Sequence, residues 1–464
     1  MSTISKKARS VKNSLHNLLS PINQLPPESL ALIATFFAKE RELTKATAVC
    51  QYWRTTLLSF PRLWCNVGGS SAEIEAYLER SKSVPIDVDL DDPELDTPLI
   101  VPHISRLASL TVRPRHLSYF SKCEEHLRSP IPALRSFCFD VGYYYEVGDL
   151  ELPSNFFNGS FSRLKKLDIG VVSSFRGPPQ AFHRVTELTL RTNSERISAL
   201  LGIFEQLPAL ERVHITFQPR VINREDDSDP TPCATVTLPH VQELSLSTFK
   251  RYGGTTVIPK RILGFLKLPN LKSLRVELEA PQSSLFYPIL PVAPIGEHFP
   301  NFAETPVLQV DLDAAYNELR FEGPSQAVFS WIMRGWLGQF QFYTLSVGLP
   351  LNSVRRLTVY TRGAGKRGDE WLVVFLQDLD SLEQLELGGD CGGVLQRLHD
   401  GVAQGKIHLH IQNLIVRAGE YEKLAALKFE SAKDAMGLGL TVTYIPDPKM
   451  CGKWRVGRGY GWSK

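Results

Sequence analysis

Apolar residues recur every three or four positions up to Leu58 and every second position after Val84, so the chain switches once, early, from a helical to a strand period. In "LPPESLALIATFF", Leu25 to Phe37, a turn of ~100° per residue puts Leu30, Ile33 and Phe37 on one face, and Leu32 and Phe36 widen the stripe. Pro26 and Pro27 favour a helix start because proline lacks the N–H that a first turn leaves unused, and Glu28 suits the positive end of the helix dipole. A second helix is predicted from about Leu43 to Leu58, with Leu43, Ala46, Cys50, Trp53 and Leu57 along one side and Pro61 ending the run. The two helices and the "PRLW" behind them make a unit of roughly 45 residues, a size at which a lone core is marginal without metal, disulfide or partner. The first helix carries a stripe wider than one neighbour covers, so a partner is the physical expectation.

From "VPIDVDL" at Val84 the alternation is that of a strand with one wet face. A six-residue pattern, apolar-x-x-apolar-x-apolar, then returns as "LASLTV" at Leu107, "LRSFCF" at Leu134, "LKKLDI" at Leu164, "VTELTL" at Val185 and "LERVHI" at Leu210. It continues as "VQELSL" at Val241, "LKSLRV" at Leu271, "VRRLTV" at Val354, "LEQLEL" at Leu382 and "IQNLIV" at Ile411. Apart from the long gap after Leu271, consecutive starts differ by 21 (164 to 185) to 31 (210 to 241), near the ~20–29 residues of leucine-rich repeats. The predicted fold is an α+β or α/β repeat protein: a helical hairpin, then an irregular leucine-rich-repeat-like solenoid with parallel strands. Only "LTLRTN", ending at Asn193, carries the asparagine of a standard repeat turn, so variable outer arms are expected. Two arms read as helices: "ERISALLGIFEQLPAL", with Ile197, Leu200, Leu201 and Phe204 on one face, and "DEWLVVFLQDLDSL", with Trp371, Val374 and Leu382.

Proline and polar runs mark interruptions. Insertions are predicted near 222–234 ("INREDDSDPTPCA" and its edges) and near 280–306 ("APQSSLFYPILPVAPIGEHFP" and beyond). The domain plan is therefore a basic lead at 1–20, the helical unit at 21–67, the repeat domain at 84–445 and a flexible tail at 446–464.

The helical unit also carries an ordered set of residues: Leu25-Pro26-x-Glu28, Leu30 and Ile33, then Val49-Cys50-x-x-Trp53-Arg54, then Pro61-Arg62-Leu63-Trp64. In this it resembles the F-box motif over nearly the motif's whole length. The resemblance implies docking onto a Skp-type adaptor, and through it a cullin-based ubiquitin ligase. It further implies that Leu25, Pro26, Leu30, Ile33, Val49 and Trp53 form the adaptor-facing or core surface. Arg41-Glu42-Leu43-Thr44 departs from the short acidic cap usual before the second helix, which blurs where that helix starts.

Composition adds little of its own. With 464 residues, 43% hydrophobic and 22% charged, the chain can bury a large core or two, and disordered and fibrous classes are excluded. The 52 basic and 49 acidic side chains leave +3, so no overall field draws it to nucleic acid or membrane. No apolar run reaches the ~20 residues of a membrane span, and the N-terminus lacks the features of a signal peptide, so an intracellular location, cytoplasmic or nuclear, is expected. The seven cysteines are scattered and never in CxxC, which fits unpaired thiols in a reducing compartment rather than disulfides or zinc. The glycine-, arginine- and aromatic-bearing tail "CGKWRVGRGYGWSK" reads as a frayed terminus rather than an RNA-binding segment.

One stretch offers enzyme chemistry. "GAGKRG", Gly363 to Gly368, is formally GxGxxG, follows the strand "RRLTVY" and has Asp390 about 22 residues downstream, as a dinucleotide fingerprint would. A repeat of strand, turn and helix produces that context anyway, and Lys366-Arg367 occupies the tight turn, so an exposed basic loop is the preferred reading. No hydroxyl follows Lys366, so it is not a P-loop. His408 and His410 alternate on a strand with no third ligand at metal spacing, and no GxSxG or HExxH occurs. No catalytic nucleophile, cofactor or metal is predicted.

The expected function is thus non-catalytic: a substrate receptor whose helices hold the adaptor while the repeats hold a target protein. The wet residue inside each final apolar pair marks the target face: Asp168, Thr189, His214, Ser245, Arg275, Thr358 and Glu386. Their mixed charge favours a protein over a nucleic-acid backbone. The alternatives are a scaffold without a degradation role and a nucleotide-dependent enzyme using Gly363 to Gly368.

Overall fold

The structure, a computed structural model, describes residues 20–37, 40–91, 93–113, 130–140, 150–152, 162–170, 172–175, 182–192, 197–217, 235–248, 262–279, 299–302, 307–313, 316–322, 328–334, 351–362, 375–376, 379–389, 391–404, 411–418, 423, 426–428, 430–431 and 441–446. The predicted lead but for Ser20, nearly all of both predicted insertions, Asn193, the Gly363–Gly368 loop, His408, His410 and all of the tail but Pro446 lie outside these residues. The chain divides into two compact units, Met1–Leu188 and Thr189–Lys464.

In the first unit the helices come first. α1, Pro27–Ala34, starts on Pro27 as predicted. Where one helix was expected from Leu43 to Leu58, the structure has two, α2, Glu40–Ala46, and α3, Gln51–Ser59. The break has a local cause. The Thr47 hydroxyl donates to the Thr44 carbonyl at 2.7 Å, the Val49 N–H closes onto Ala46 at 3.2 Å, and Cys50 is extended (φ −158°, ψ 172°). The Arg54 Nε then donates to the Thr47 carbonyl at 3.0 Å, occupying an acceptor that the end of α2 leaves open. The predicted apolar side survives the break, since Leu43, Ala46, Trp53 and Leu57 are all buried.

The helices run directly into strands. Trp64, in the single turn Pro61–Trp64, is fully buried. Its ring meets Tyr77 of α4 (Ser71–Arg80) edge-on, centroids 4.9 Å apart and planes at 76°, and the Arg80 guanidinium lies 4.4 Å from the Trp64 ring centroid. The start of α4 depends on Gly69 at φ +94°, where a Cβ would come within 2.6 Å of the Glu73 carboxylate that accepts from the Ser70 N–H and hydroxyl. Strands β1 (Asn66–Val67), β2 (Ile86–Leu90), β3 (Leu107–Val112), β4 (Ser136–Phe139) and β5 (Lys166–Gly170) pair in that order, all parallel. Strand β6, Glu187–Thr192, spans the division between the units.

The second unit continues the repeat. After α6, Ile197–Glu205 (α5 being Pro93–Ile100 of the first unit), come β7, Arg212–Phe217, β8, Glu243–Thr248, and β9, Ser273–Glu279, again parallel. Of the predicted helical face of α6, Leu200, Leu201 and Phe204 are buried, and the Ile197 side chain lies outside the described ones. The six-residue pattern has a mechanical explanation in both units. All three of its apolar positions are buried, as at Leu164, Leu167, Ile169 and Leu271, Leu274, Val276. The residue after the first apolar position opens the ladder to the previous repeat, as Lys165 N–H does to the Arg135 carbonyl (2.9 Å) and Lys272 N–H to Gln242 (2.7 Å).

Between β9 and "VRRLTV", where the repeat pattern is interrupted, the pairing is not parallel throughout. Three strands, β10 (Val307–Asp313), β11 (Tyr316–Glu322) and β12 (Val328–Arg334), form an antiparallel meander placed in reverse, with β12 beside β9 and β10 beside β13 (Arg356–Arg362). Because β11 opposes both neighbours, β10 and β12 run in the direction of β9 and β13, so an odd insert preserves the sheet's polarity where a two-stranded one would reverse it. β14 (Gln384–Gly389), β15 (Asn413–Ala418) and β16 (Thr441–Pro446) then resume parallel pairing, with helix α7, Gly392–Ala403, between β14 and β15.

Candidate interaction surfaces

The helical segment closes its own core and still leaves apolar surface over. Leu30, Ala31, Ala34, Leu43, Ala46, Trp53 and Leu57 are buried. Asn23 clamps the packing, its side-chain oxygen accepting from Trp53 Nε1 at 2.7 Å, and the Tyr52 hydroxyl donates to the Leu25 carbonyl at 2.5 Å. Yet Phe36 is 79% exposed, Leu32 63% and Val49 58%, with Ile22 and Ile33 also exposed. Five of the seven large apolar side chains exposed among the described residues fall between Ile22 and Val49, the other two being Val101 and Leu427. Single exposed apolar residues are ordinary, whereas a concentration in one short segment is the feature that makes this a candidate interaction surface.

Of the six residues expected to face an adaptor or the core, Leu30 and Trp53 are core, Leu25 is half-buried, and Pro26, Ile33 and Val49 are exposed. Leu32 and Phe36 are the stronger surface residues and were read only as widening the stripe. The 100° rotation that placed them beside Leu30 and Ile33 contained the signal, but rotation does not say which half of a wide stripe faces inward.

On the strands, five of the seven predicted target residues share one register row. His214, Ser245 and Arg275 are mutual partners on β7, β8 and β9. The row runs on through Ser330, Arg320 and Gln309 of the meander to Thr358 and Glu386 on β13 and β14. Asp168 lies on β5 beside Cys138, and Thr189 lies on β6. The β7–β9 part is a polar patch in which the Thr216 hydroxyl is 2.9 Å from the Ser247 hydroxyl and 3.3 Å from His214 Nε2, and Arg275 pairs with Glu277 at 3.4 Å.

Two of these positions are not wet: Thr358 and Glu386 are buried. Glu386 sits between two arginines on the neighbouring strands. Arg356 Nη2 of β13 donates to Oε2 at 3.0 Å, and Arg417 Nε of β15 donates to Oε1. The carboxylate side chain is 3% exposed, while the arginines are 47% and 41% exposed, so the guanidinium heads close over the acid and face outward themselves. In the next row Gly388 leaves room for the Tyr360 ring, which a Cβ would meet at 2.4 Å. Glu386 alternates with the buried Leu385 and Leu387, and the two arginines one row to either side, on adjacent strands, are what take it out of water.

In the first unit the stoichiometry is reversed: Arg113 serves Asp89 (2.6 Å) and Asp91 (3.4 Å), all three substantially exposed. Nearby, partial withdrawal from water pushes the Asp87 carboxyl above its ordinary range, against the pull of Arg135. Among the described residues no group of His, Cys, Asp and Glu could hold a metal ion, and no helix is long and apolar enough to cross a membrane.

What the fold and surfaces define is a class: N-terminal helices with an uncovered apolar face, followed by a parallel β-solenoid repeat with a polar strand face. Compared with models of known protein families and with curated proteins, the chain matches none.

Proposed function

We propose that the chain is a substrate receptor of a cullin-based ubiquitin ligase, its F-box-like helices docking a Skp-type adaptor and its strand face holding a target protein. The observation that carries the reading is the exposed apolar set Ile22, Leu32, Ile33, Phe36 and Val49, on the very segment whose ordered residues resemble the F-box. The core of that segment is satisfied without these side chains, so their exposure is surplus to folding and suited to a partner. Such a receptor needs no reacting group of its own, because holding target and ligase on one chain raises the effective concentration of one at the other.

The test is co-purification of the full chain with a Skp-type adaptor. Ile33→Asp with Phe36→Asp removes exposed surface without opening the core, and is expected to abolish the association while leaving the thermal unfolding midpoint in place. An association that survives both substitutions, in a chain still folded, rules the docking surface out.

A further inference from the structure

The face carrying Arg356, Glu386 and Arg417 is donor-rich. On β13 to β16 the side chains sharing the row parity of Thr358 include Arg356, Tyr360, Gln384, Asn413, Arg417, Thr441 and Thr443, and Glu386 is the one carboxylate among those described. Among the described side chains of these four strands, the cations Arg356 and Arg417 outnumber the one anion, which is already enclosed. Each guanidinium spends one nitrogen on Glu386, and neither has another hydrogen-bond partner among the described residues. A buried carboxylate is costly to desolvate, and an apolar residue would serve a merely packed strand as well. Here it anchors two half-exposed arginines on strands separated by one, beside a tyrosine, the residue types that carry most binding energy at interfaces.

We propose that this face binds an acidic stretch of the target protein, with Asp or Glu carboxylates taking the outward donors of Arg356 and Arg417 while Glu386 positions both. The assignment rests on the reading of the strands as the target-holding surface, and names the chemistry of what they hold. Crossing four strands at ~4.8 Å spacing takes about five extended residues, so the recognised segment is short.

The experiment is fluorescence anisotropy of the full chain with a labelled oligoglutamate of about eight residues, a Gly-Ser peptide of equal length, and the same Gly-Ser peptide bearing one phosphoserine. Oligoglutamate is expected to bind, more weakly as salt rises from about 0.05 to 0.15 M, with no binding of the neutral peptide. Arg356→Gln, Glu386→Gln and Arg417→Gln together remove the three charges of this cluster but keep hydrogen-bonding amides, so the strand stays folded; affinity should fall about tenfold or more, ~1.4 kcal/mol. Arg355→Ala, an exposed arginine of opposite parity, should change nothing. Glu386→Gln alone raises the local charge by one and should steepen the salt dependence, which a role confined to packing would not do. The assignment is overturned by equal binding of the neutral peptide, by equal loss in Arg355→Ala, by an unchanged salt slope in Glu386→Gln, or by preference for the phosphoserine peptide over oligoglutamate. Binding of oligoglutamate without adaptor association would leave this inference standing and remove only the ligase reading.

Discussion

The helical segment between Ile22 and Trp64 and the strand face between Arg356 and Ile445 leave opposite things unsatisfied. The helices pair the polar tips of buried side chains, as Asn23 does for Trp53, and leave apolar side chains in water. The strands from Arg356 to Ala418 bury the apolar triplets of their repeats and leave guanidinium groups facing out, fixed by an acid beneath them. A surface of the first kind gains from any well-shaped apolar partner, through area removed from water. A surface of the second kind gains little from area and discriminates by charge. On the proposed reading, two such surfaces on one chain would not compete for the same partner.

Three substitutions sharpen that contrast, in descending size of effect. Trp64→Ala removes a fully buried indole, its edge contact with Tyr77 and its place under Arg80, and should cost about 3–5 kcal/mol in urea unfolding. If the midpoint hardly moves, the helices are not integrated with the first strands and the contrast is between two separate bodies. Arg417→Ala leaves Glu386 enclosed with one partner, and should cost about 1–3 kcal/mol, the desolvation penalty of an under-satisfied buried group. A change comparable to an ordinary exposed ion pair would mean that Glu386 reaches water as soon as an arginine leaves, and that the enclosure is loose.

Asp87 supplies the smallest effect and the opposite sign. Its carboxyl is raised when folded, so the folded state holds the proton more firmly than the unfolded chain does. Stability should therefore decline as pH rises from about 3.9, the ordinary carboxylate value, through the folded value, and level off above it. Asp87→Asn should remove that decline and be slightly more stable at neutral pH, by well under about 1 kcal/mol because the site is open to solvent. Urea midpoints at both ends of that pH range measure it, and a variant less stable than the parent at neutral pH would show that the Asp87 charge is used by Arg135 rather than merely tolerated.

Much of this architecture was legible beforehand because its determinants are local and periodic. The apolar triplet of each repeat states a strand, its inward side and its start, and each position proved buried. The break at Cys50 was not legible, because the apolar period runs through it and only the hydroxyl of Thr47 and the side chain of Arg54 reveal that the backbone ends and restarts. The meander went unread because proline and aromatics in the stretch before it suggested irregular chain, although "VLQVDLD" alternates as a strand does at Leu308, Val310 and Leu312. Its reversed placement follows from no residue, since one alternating pattern serves either neighbour.

By itself the sequence determined the apolar triplet of each repeat, the inward side of those strands, and the equivalent outward positions of His214, Ser245, Arg275, Thr358 and Glu386, because backbone period and solvent affinity act over a few residues. Only the tertiary structure decided that Phe36 stays in water while Leu30 does not, that the strand order inverts in the meander, and that Glu386 is enclosed by Arg356 and Arg417. Those outcomes depend on which neighbours arrive from distant parts of the chain, and burial and charge pairing are properties of the neighbours as much as of the residue.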